Sequence, residues 1–178
     1  VGGAALYTSE DAITWNCIDG GSGSCPSGLN YYLHSITSGE GIFVAVGVSS
    51  SSGSDDIGTI ITSPDGSTWT TRVSNVSALG GVTYGNGQFI AVGGDGFILT
   101  SDDGITWNPQ NSGTTLCIKD VAYGNNLFVA VTGTSSSSDC WGSYGFSGAK
   151  ILTSSGGTTW NPISGSYPGF NRVRYLNN

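Results

Sequence analysis

The sequence predicts an all-β protein made of repeated four-stranded antiparallel sheets. Three observations predict this class: one phrase occurs four times, a second phrase alternates apolar with small or polar residues, and no segment has helical periodicity. The four copies of the first phrase are Thr8–Trp15, Thr62–Trp69, Thr100–Trp107 and Thr153–Trp160. Short strands separated by turn residues at regular spacing are typical of folds in which each repeat forms one sheet.

The second phrase supplies the other half of each repeat. It reads Val82–Gly93, with matching copies at Ile36–Gly47 and Val121–Thr132 and a partial copy at Val173–Asn178. Gly-Asn-Gly or Asp-Gly interrupts the phrases at their middle, and these are strong hairpin signals. In the clearest repeat we expect strand A at 82–84, strand B at 88–93, strand C at 97–101 and strand D at 106–108, with tight turns at 85–87 and 103–104.

Together the phrases predict a single β-propeller domain or a propeller fragment over residues 1–178, because a repeated four-stranded meander is the signature of a propeller blade. The repeats run approximately over 1–30, 31–81, 82–120 and 121–172, and the next begins at 173–178. Since Val1–Gly3 aligns with Val92–Gly94, the chain contains three complete blades and one blade split between the termini. The split blade lacks the counterparts of Gln88–Ala91, which leaves backbone groups of the neighbouring strands unpaired. The sequence therefore predicts that two copies can associate through their terminal strands.

The Ser-x-Asp-Gly-x-Thr-Trp phrase resembles the Asp-box, or BNR, hairpin of sialidases, of some xyloglucan-degrading enzymes and of propellers like photosystem assembly factors. With the Tyr-Gly-Asn-Gly-x-Phe phrase, it is similar to bacterial repeat proteins of mostly unassigned function. Physical reasoning gives the phrase a structural role: the carboxylate accepts turn amides, and the indole packs between blades. The residues concerned are Asp11, Asp65, Asp103, Trp15, Trp69, Trp107 and Trp160.

Composition excludes several classes of function. The net charge of −7 would repel a nucleic-acid backbone. No apolar stretch approaches the length needed for membrane insertion. A single histidine and the lack of a Cys-x-x-Cys pair disfavour zinc, and Asp55–Asp56 lacks the spaced acidic pattern of a calcium loop. We therefore expect no metal and no cofactor.

Loop lengths divide the blades into two ends. The short A–B and C–D turns share one end, so the B–C and D–A connections lie together at the other, where every length change falls. All four cysteines belong to this second end, and neighbouring loops favour the pairs Cys17–Cys25 and Cys117–Cys140 among three connectivities. Two disulfides predict a secreted or cell-surface protein.

The same end carries the candidate ligand-binding residues, for which packing within the loops is the alternative role. Aromatic rings with nearby polar groups suit sugars and also protein partners. The candidates are Trp141, Tyr144, Phe146, Tyr31, Tyr32, Tyr167 and Asp139, with Trp141 the strongest.

No catalytic residue is assigned from the sequence. A sialidase-like site cannot be assembled, because the chain has three arginines and two of them are Arg172 and Arg174, on the last strand. A glycosidase needs two carboxylates at a defined separation, and nothing singles out a pair among the acidic residues at this end, which are Asp19, Asp55, Asp56, Asp120 and Asp139. The main prediction is a non-catalytic recognition or adhesion module that binds glycan or protein. The alternatives are a structural subunit assembling through its split blade into a ring or filament, and a glycan-degrading Asp-box domain.

Overall fold

The structure is an all-β arrangement of four antiparallel sheets. This computed structural model describes residues 5–8, 16–20, 31–49, 57–134, 140 and 148–176, with the first two ranges and Tyr31 described by their backbone alone. The described part contains three four-stranded sheets, one two-stranded sheet and a single short 3-10 turn. The predicted all-β class with four-stranded antiparallel sheets is confirmed. In the described residues no helix is long and apolar enough to cross a membrane.

Each four-stranded sheet is a meander whose strands are adjacent in chain order. The two-stranded sheet contains β1 (Ala5–Thr8) and β2 (Asn16–Gly20). The first blade contains β3 (Tyr31–Gly39), β4 (Ile42–Ser49), β5 (Ile57–Ser63) and β6 (Thr70–Ser77). The second blade contains β7 (Leu79–Gly85), β8 (Gln88–Gly93), β9 (Ile98–Ser101) and β10 (Asn108–Gln110). The third blade contains β11 (Ile118–Gly124), β12 (Leu127–Thr132), β13 (Ile151–Ser154) and β14 (Asn161–Pro162).

The A–B turns are two-residue hairpins, as their sequence predicts. In each turn both central residues have positive φ, for example 50° at Asn86 and 75° at Gly87. Such turns match the right-handed twist of the flanking strands, and Asn and Gly tolerate this backbone conformation best. The first blade uses Glu40 and Gly41 at the same place, so one position of this turn accepts a longer side chain.

The C–D connection differs from its prediction. A tight turn at 103–104 followed by strand D at 106–108 was expected, but β10 begins at Asn108. In all three blades the serine and indole bonds close a turn that extends to the tryptophan, so the last strand begins one residue after it. In this blade the Asp103 carboxylate also accepts the backbone N–H groups of Ile105 and Thr106, each at 2.8 Å. Those two amides are therefore occupied within the turn and do not join the ladder of the sheet.

The apolar core is divided between the two interfaces that separate neighbouring blades. Because side chains alternate along a strand, Phe89 and Ala91 of β8 belong to the cluster shared with the first blade, whereas Ile90 and Val92 belong to the cluster shared with the third. All four are fully buried. One strand thus contributes to two interfaces, which explains why both of its faces are apolar.

A glycine–tyrosine contact also recurs between blades. A Cβ atom at Gly39 would lie 2.3 Å from Cγ of Tyr84, and one at Gly85 would lie 2.1 Å from Cγ of Tyr123. Real Cβ atoms do not approach so closely, so each tyrosine ring lies directly on the backbone of the preceding blade. Glycine is required at these positions for close approach, not for an unusual φ.

Candidate functional site

We call the end of the blades that carries the B–C and D–A connections the loop face, and the end that carries the A–B and C–D turns the turn face. In the second blade the B–C connection is the 3-10 turn Gly94–Gly96, and Gly94 donates its N–H to the Ala78 carbonyl at 2.9 Å. Gly96 has a φ of 72°, and a Cβ atom there would lie 1.9 Å from the Thr114 carbonyl oxygen. Only glycine at position 96 therefore allows this turn to contact the D–A loop that contains Thr114.

A disulfide fixes the loop face of the third blade. Cys117, which precedes β11, is bonded to Cys140 with a Cα–Cα distance of 5.4 Å, and both residues are buried. Gly133 donates its N–H to the Cys117 carbonyl at 2.9 Å, and the Lys119 ammonium donates to the Cys140 carbonyl. This predicted disulfide is confirmed. Of the other predicted pair, only the backbone of Cys17 is described, and Cys25 lies outside the described residues.

An open cleft of about 600 Å³ lies on the loop face beside this disulfide. Its walls come from the D–A loop between β10 and β11 and from the residue before β13, and the lining residues are Asn111, Gly113, Thr114, Thr115, Leu116 and Lys150. The loop is held by its own hydrogen bonds: Gly113 donates to the Asn111 side chain at 2.9 Å, and Leu116 donates to the Thr114 hydroxyl at 3.2 Å. A ligand entering the cleft would meet a wall that is already ordered.

The cleft presents neutral polar groups and one cation. Thr115 is exposed, and Lys150 is half-buried with its backbone N–H bonded to the Thr132 hydroxyl at 2.8 Å. Within the described part of the chain, no hydrogen bond or ion pair occupies the Thr115 hydroxyl or the Lys150 ammonium. A hydroxyl donor–acceptor, an ammonium donor and the apolar Leu116 can together bind a polyhydroxylated ligand.

The carboxylates described at this end, Asp95 and Asp120, are both engaged in local bonds. Asp95 accepts the Ser77 hydroxyl at 3.0 Å. Asp120 is buried, accepts the N–H of Val121 at 3.0 Å, and forms an ion pair with Arg174 at 2.8 Å. Its role is therefore to hold the final segment of the chain against the third blade. For Asp19 only the backbone is described, in β2, and Asp55, Asp56 and Asp139 lie outside the described residues.

The predicted aromatic site is described only in part. Tyr31 and Tyr32 lie in β3, and Tyr32 is half-buried. Tyr167 forms an isolated β-bridge with Ala149, and its ring lies 5.6 Å from that of Phe170. Among the described residues no ring contact joins Tyr32 to Tyr167. The other candidates, Trp141, Tyr144, Phe146 and Asp139, lie outside the described residues, so this site stays a prediction.

The aspartates of the turn face are engaged within their own turns. Asp65 accepts the N–H groups of Thr68 at 2.7 Å and Ser67 at 2.8 Å. These bonds, with a third to the Ser63 hydroxyl, lower the pKa of Asp65 to about 2. The same backbone bonds, from Thr106 first, lower the pKa of Asp103. Carboxylates held ionised in this way serve the turn and cannot act as general acids near neutral pH.

The indoles of the same turns pack as a scaffold. The ring N–H of Trp107 donates to the Gly104 carbonyl at 2.9 Å, and that of Trp160 donates to the Gly157 carbonyl at 2.8 Å. Trp69 bonds Gly66 similarly at 3.1 Å. Asp11 and Trp15, from the first copy of the phrase, lie outside the described residues.

Sequence reasoning missed the residues of the cleft. It placed the D–A connection on the loop face but searched that face for aromatic rings and carboxylates, whereas the cleft is lined by Asn, Gly, Thr, Leu and Lys. The available signal was Lys150, which is one of only five basic residues in the chain and adjoins the longest B–C connection.

Comparison with known proteins gives structural likeness only. No protein-family model and no curated protein matches the chain. Among solved structures, a glycoside hydrolase family 32 β-fructofuranosidase of Bombyx mori is 11% identical with a TM-score of 0.49, over 78% of this chain and 38% of that one. An N-acetylgalactosamine deacetylase from F. plautii, in complex with blood group B trisaccharide, is 18% identical with a TM-score of 0.49, over 91% of this chain and 60% of that one. This chain thus spans less than two thirds of either protein.

These neighbours correct the main functional prediction. A non-catalytic recognition or adhesion module was expected, whereas the solved structures named above are a β-fructofuranosidase and an N-acetylgalactosamine deacetylase. The adhesion hypothesis is therefore contradicted, and the alternative of a glycan-degrading domain agrees better with them. The expectation rested on loop-face aromatic residues and on the lack of an evident carboxylate pair in the sequence, and neither observation excludes an enzyme.

Proposed function

We propose that this chain is an Asp-box-like propeller domain of a secreted glycan-processing enzyme and that its cleft binds carbohydrate. The observation that carries the proposal is the cleft itself, where an ordered D–A loop and Lys150 present neutral and cationic hydrogen-bonding groups around an open space. Such groups match the alternating donors and acceptors of sugar hydroxyls. The resemblance to Asp-box hairpins supports the same class.

The cleft is suited to holding sugar and not to cleaving it. Its lining has no carboxylate, so the cleft supplies binding and orientation. The loop-face carboxylates that could complete a catalytic site from this chain are Asp95, which is exposed in the 3-10 turn, and four assigned to this face from the sequence, Asp19, Asp55, Asp56 and Asp139. We propose that they, or groups of a further part of the protein, act on a glycan that the cleft positions.

The finer architecture belongs to the same proposal. We propose a ring of four blades in which the fourth contains β1 and β2 as strands C and D and residues 173–175 as strand A. The disulfide between Cys117 and Cys140 supports secretion, since such bonds persist in oxidising compartments.

The experiment is a glycan array followed by a turnover assay. The intact protein is applied to the array, and the glycans that bind are then incubated with it while released reducing sugar and acetate are measured. We expect binding in the micromolar range that Thr115→Ala weakens about twofold to tenfold, the range for loss of one neutral hydrogen bond, and that Lys150→Ala weakens about tenfold to a hundredfold, the range for loss of a bond to a charged group.

Matched controls come from exposed residues that do not line the cleft. Thr158→Ala lies on the turn face of the third blade, and Arg172→Ala removes an exposed cation outside the cleft lining. Both should bind like the unmodified protein. Equal losses for cleft and control variants would disprove the cleft as the binding site, and binding without any turnover would remove the enzymatic part of the proposal.

A further inference from the structure

Among the described residues that line the loop-face cleft, Lys150 is the one cation, and its backbone is fixed by the strand beside it. Its N–H donates to the Thr132 hydroxyl at 2.8 Å, and its carbonyl accepts the Thr132 N–H at 3.0 Å. Both backbone groups are therefore bonded to β12, and the side chain is left to the cleft. A half-buried ammonium is costly unless it is paired, so this position favours a negatively charged ligand.

The other cations of the chain are engaged elsewhere or lie outside the lining. The chain has only five lysines and arginines. Arg174 is paired with a buried carboxylate, Lys119 donates to a backbone carbonyl, and Arg72 donates to a threonine hydroxyl. Arg172 is exposed but does not line the cleft. Lys150 is thus the described cation that is placed to bind a charged group in this cleft.

No described carboxylate opposes an anion at Lys150. The cleft lining contains none. Asp120 is neutralised by Arg174, as described above. Asp95 is exposed, but it accepts the hydroxyl of Ser77 in β6 of the first blade, whereas the cleft is lined by the loop that joins the second blade to the third. A ligand anion would therefore gain the attraction of the ammonium without a matching repulsion from these groups.

The neutral groups of the lining are left mainly as hydrogen-bond donors. The side-chain oxygen of Asn111 already accepts the Gly113 N–H at 2.9 Å. The Thr114 hydroxyl accepts the Leu116 N–H at 3.2 Å, and the Thr114 carbonyl accepts the Ser112 hydroxyl at 3.1 Å. The Asn111 amide and the Thr114 hydroxyl thus retain hydrogens to donate. A sugar hydroxyl both donates and accepts, whereas a carboxylate or sulfate only accepts, so a surplus of donors favours the anionic group.

We infer that the cleft selects acidic carbohydrate, a glycan that carries a carboxylate or a sulfate, and that Lys150 binds this anionic group. The inference rests on the proposed glycan binding and adds the class of glycan to it. The Asn111 amide and the Thr115 hydroxyl supply neutral donors around the same group. Hydrogen bonds between ionised partners are stronger than neutral ones, so the anionic group accounts for most of the discrimination between glycans.

The test applies the intact protein to an array in which each acidic glycan stands beside its neutral form. Uronates are paired with their methyl esters, and O-sulfated glycans with their unsulfated parents, so the pair that responds identifies the group. We expect the acidic form to bind at least tenfold more tightly. Lys150→Gln should abolish this advantage and leave the neutral form unchanged, whereas Lys150→Arg, which keeps the charge, should retain it. Added sodium chloride should weaken binding of the acidic form alone.

The matched control is Arg172→Gln, which removes an exposed cation by the same substitution outside the cleft lining. It should keep the preference for acidic glycans, and circular dichroism verifies that every variant is folded. Equal binding of acidic and neutral forms would overturn this inference and leave the proposed glycan binding intact. Equal losses in Lys150→Gln and Arg172→Gln would indicate general attraction by surface charge and would overturn it too. Failure to bind any glycan would overturn the proposed function and this inference together.

Discussion

The two ends of the blades differ in how much each repeat is free to change. On the turn face, Ser63, Ser101 and Ser154 each accept, at 2.8 Å, the backbone N–H of the glycine three residues later in the chain. Each turn is also closed by a hydrogen bond from its indole N–H to that glycine's carbonyl. On the loop face, the corresponding connections range from the three-residue turn Gly94–Gly96 to the long segment that contains Cys140. The hydrogen bonds that close the C–D turns are repeated in each of the three four-stranded blades, whereas the loop-face connections differ between blades and form the cleft.

The third blade shows which part of the repeated turn is dispensable. It has Gly156 where the second blade has Asp103, so no carboxylate accepts the amides of the two residues that follow Gly157. The serine and tryptophan bonds remain at 2.8 Å, and β13 and β14 still pair. The serine and the indole are therefore sufficient to form the turn, and the aspartate adds to it.

The largest effect should come from truncating the turn-face indole that is most deeply buried. Trp160 belongs to the cluster between the second and third blades with 7% exposure, so Trp160→Ala should cost about 3–5 kcal/mol of unfolding free energy. Trp69→Ala is the control, because Trp69 makes the same turn bond but lies outside both clusters. Urea unfolding measures both. Equal losses would mean that the bond, and not the packing, is what stabilises the blade.

The next effect concerns the loop face. Replacing both Cys117 and Cys140 by alanine should cost about 2–4 kcal/mol, the range for removal of a disulfide from a loop of this size. Hydrogen exchange should show faster exchange at Gly113 and Leu116, while the amides of Ile105 and Thr106 keep their protection. Loss of protection on both the loop face and the turn face would contradict the expectation that the two faces are stabilised independently.

The smallest effect should come from adding an aspartate to the third blade. A Cβ atom at Gly156 would meet nothing within 4 Å, so Gly156→Asp fits and can accept the free turn amides. By analogy with Asp65, whose pKa falls from 3.8 to about 2, the stabilisation should be present above pH 4 and lost as the pH falls to about 2. Urea unfolding at pH 7 and pH 2 measures it. Gly156→Asn is the uncharged control. If Gly156→Asp raised the free energy of unfolding equally at both pH values, the carboxylate charge could not be the cause of the stabilisation.

The sequence was sufficient to predict the strands but not where the turns end. Strand B was placed at 88–93 and β8 has those bounds, because the hairpin turn at 85–87 marks where it begins and the glycines at 93–94 mark where it ends. Strand A was placed at 82–84, whereas β7 starts at Leu79 after a register shift between Leu79 and Gly81. The same shift occurs between Leu33 and Ser35 in β3 and between Ile118 and Asp120 in β11, so it belongs to the repeat and lies before the alternating phrase from which strand A was placed.

The site was less predictable than the fold for a related reason. The Cys117–Cys140 disulfide was predictable because the order of the strands assigns both cysteines to neighbouring connections on the loop face. The cleft, in contrast, depends on how closely Lys150 and the D–A loop approach each other across two blades. Asp120 illustrates the same difficulty, since it was a catalytic candidate by position and is instead neutralised by Arg174, 54 residues away. Long-range pairing of this kind leaves no periodic signal in the sequence.

The glycine–tyrosine contact has a geometric consequence for the whole molecule. Each tyrosine ring lies against a backbone position that has no room for even a methyl group, so the contact fixes the distance between the two blades at this point. A larger residue at Gly85 would push the second and third blades apart at this contact while leaving the strand pairing within each sheet intact. The spacing of adjacent sheets is therefore set at residues that have no side chain, Gly39, Gly85 and Gly124.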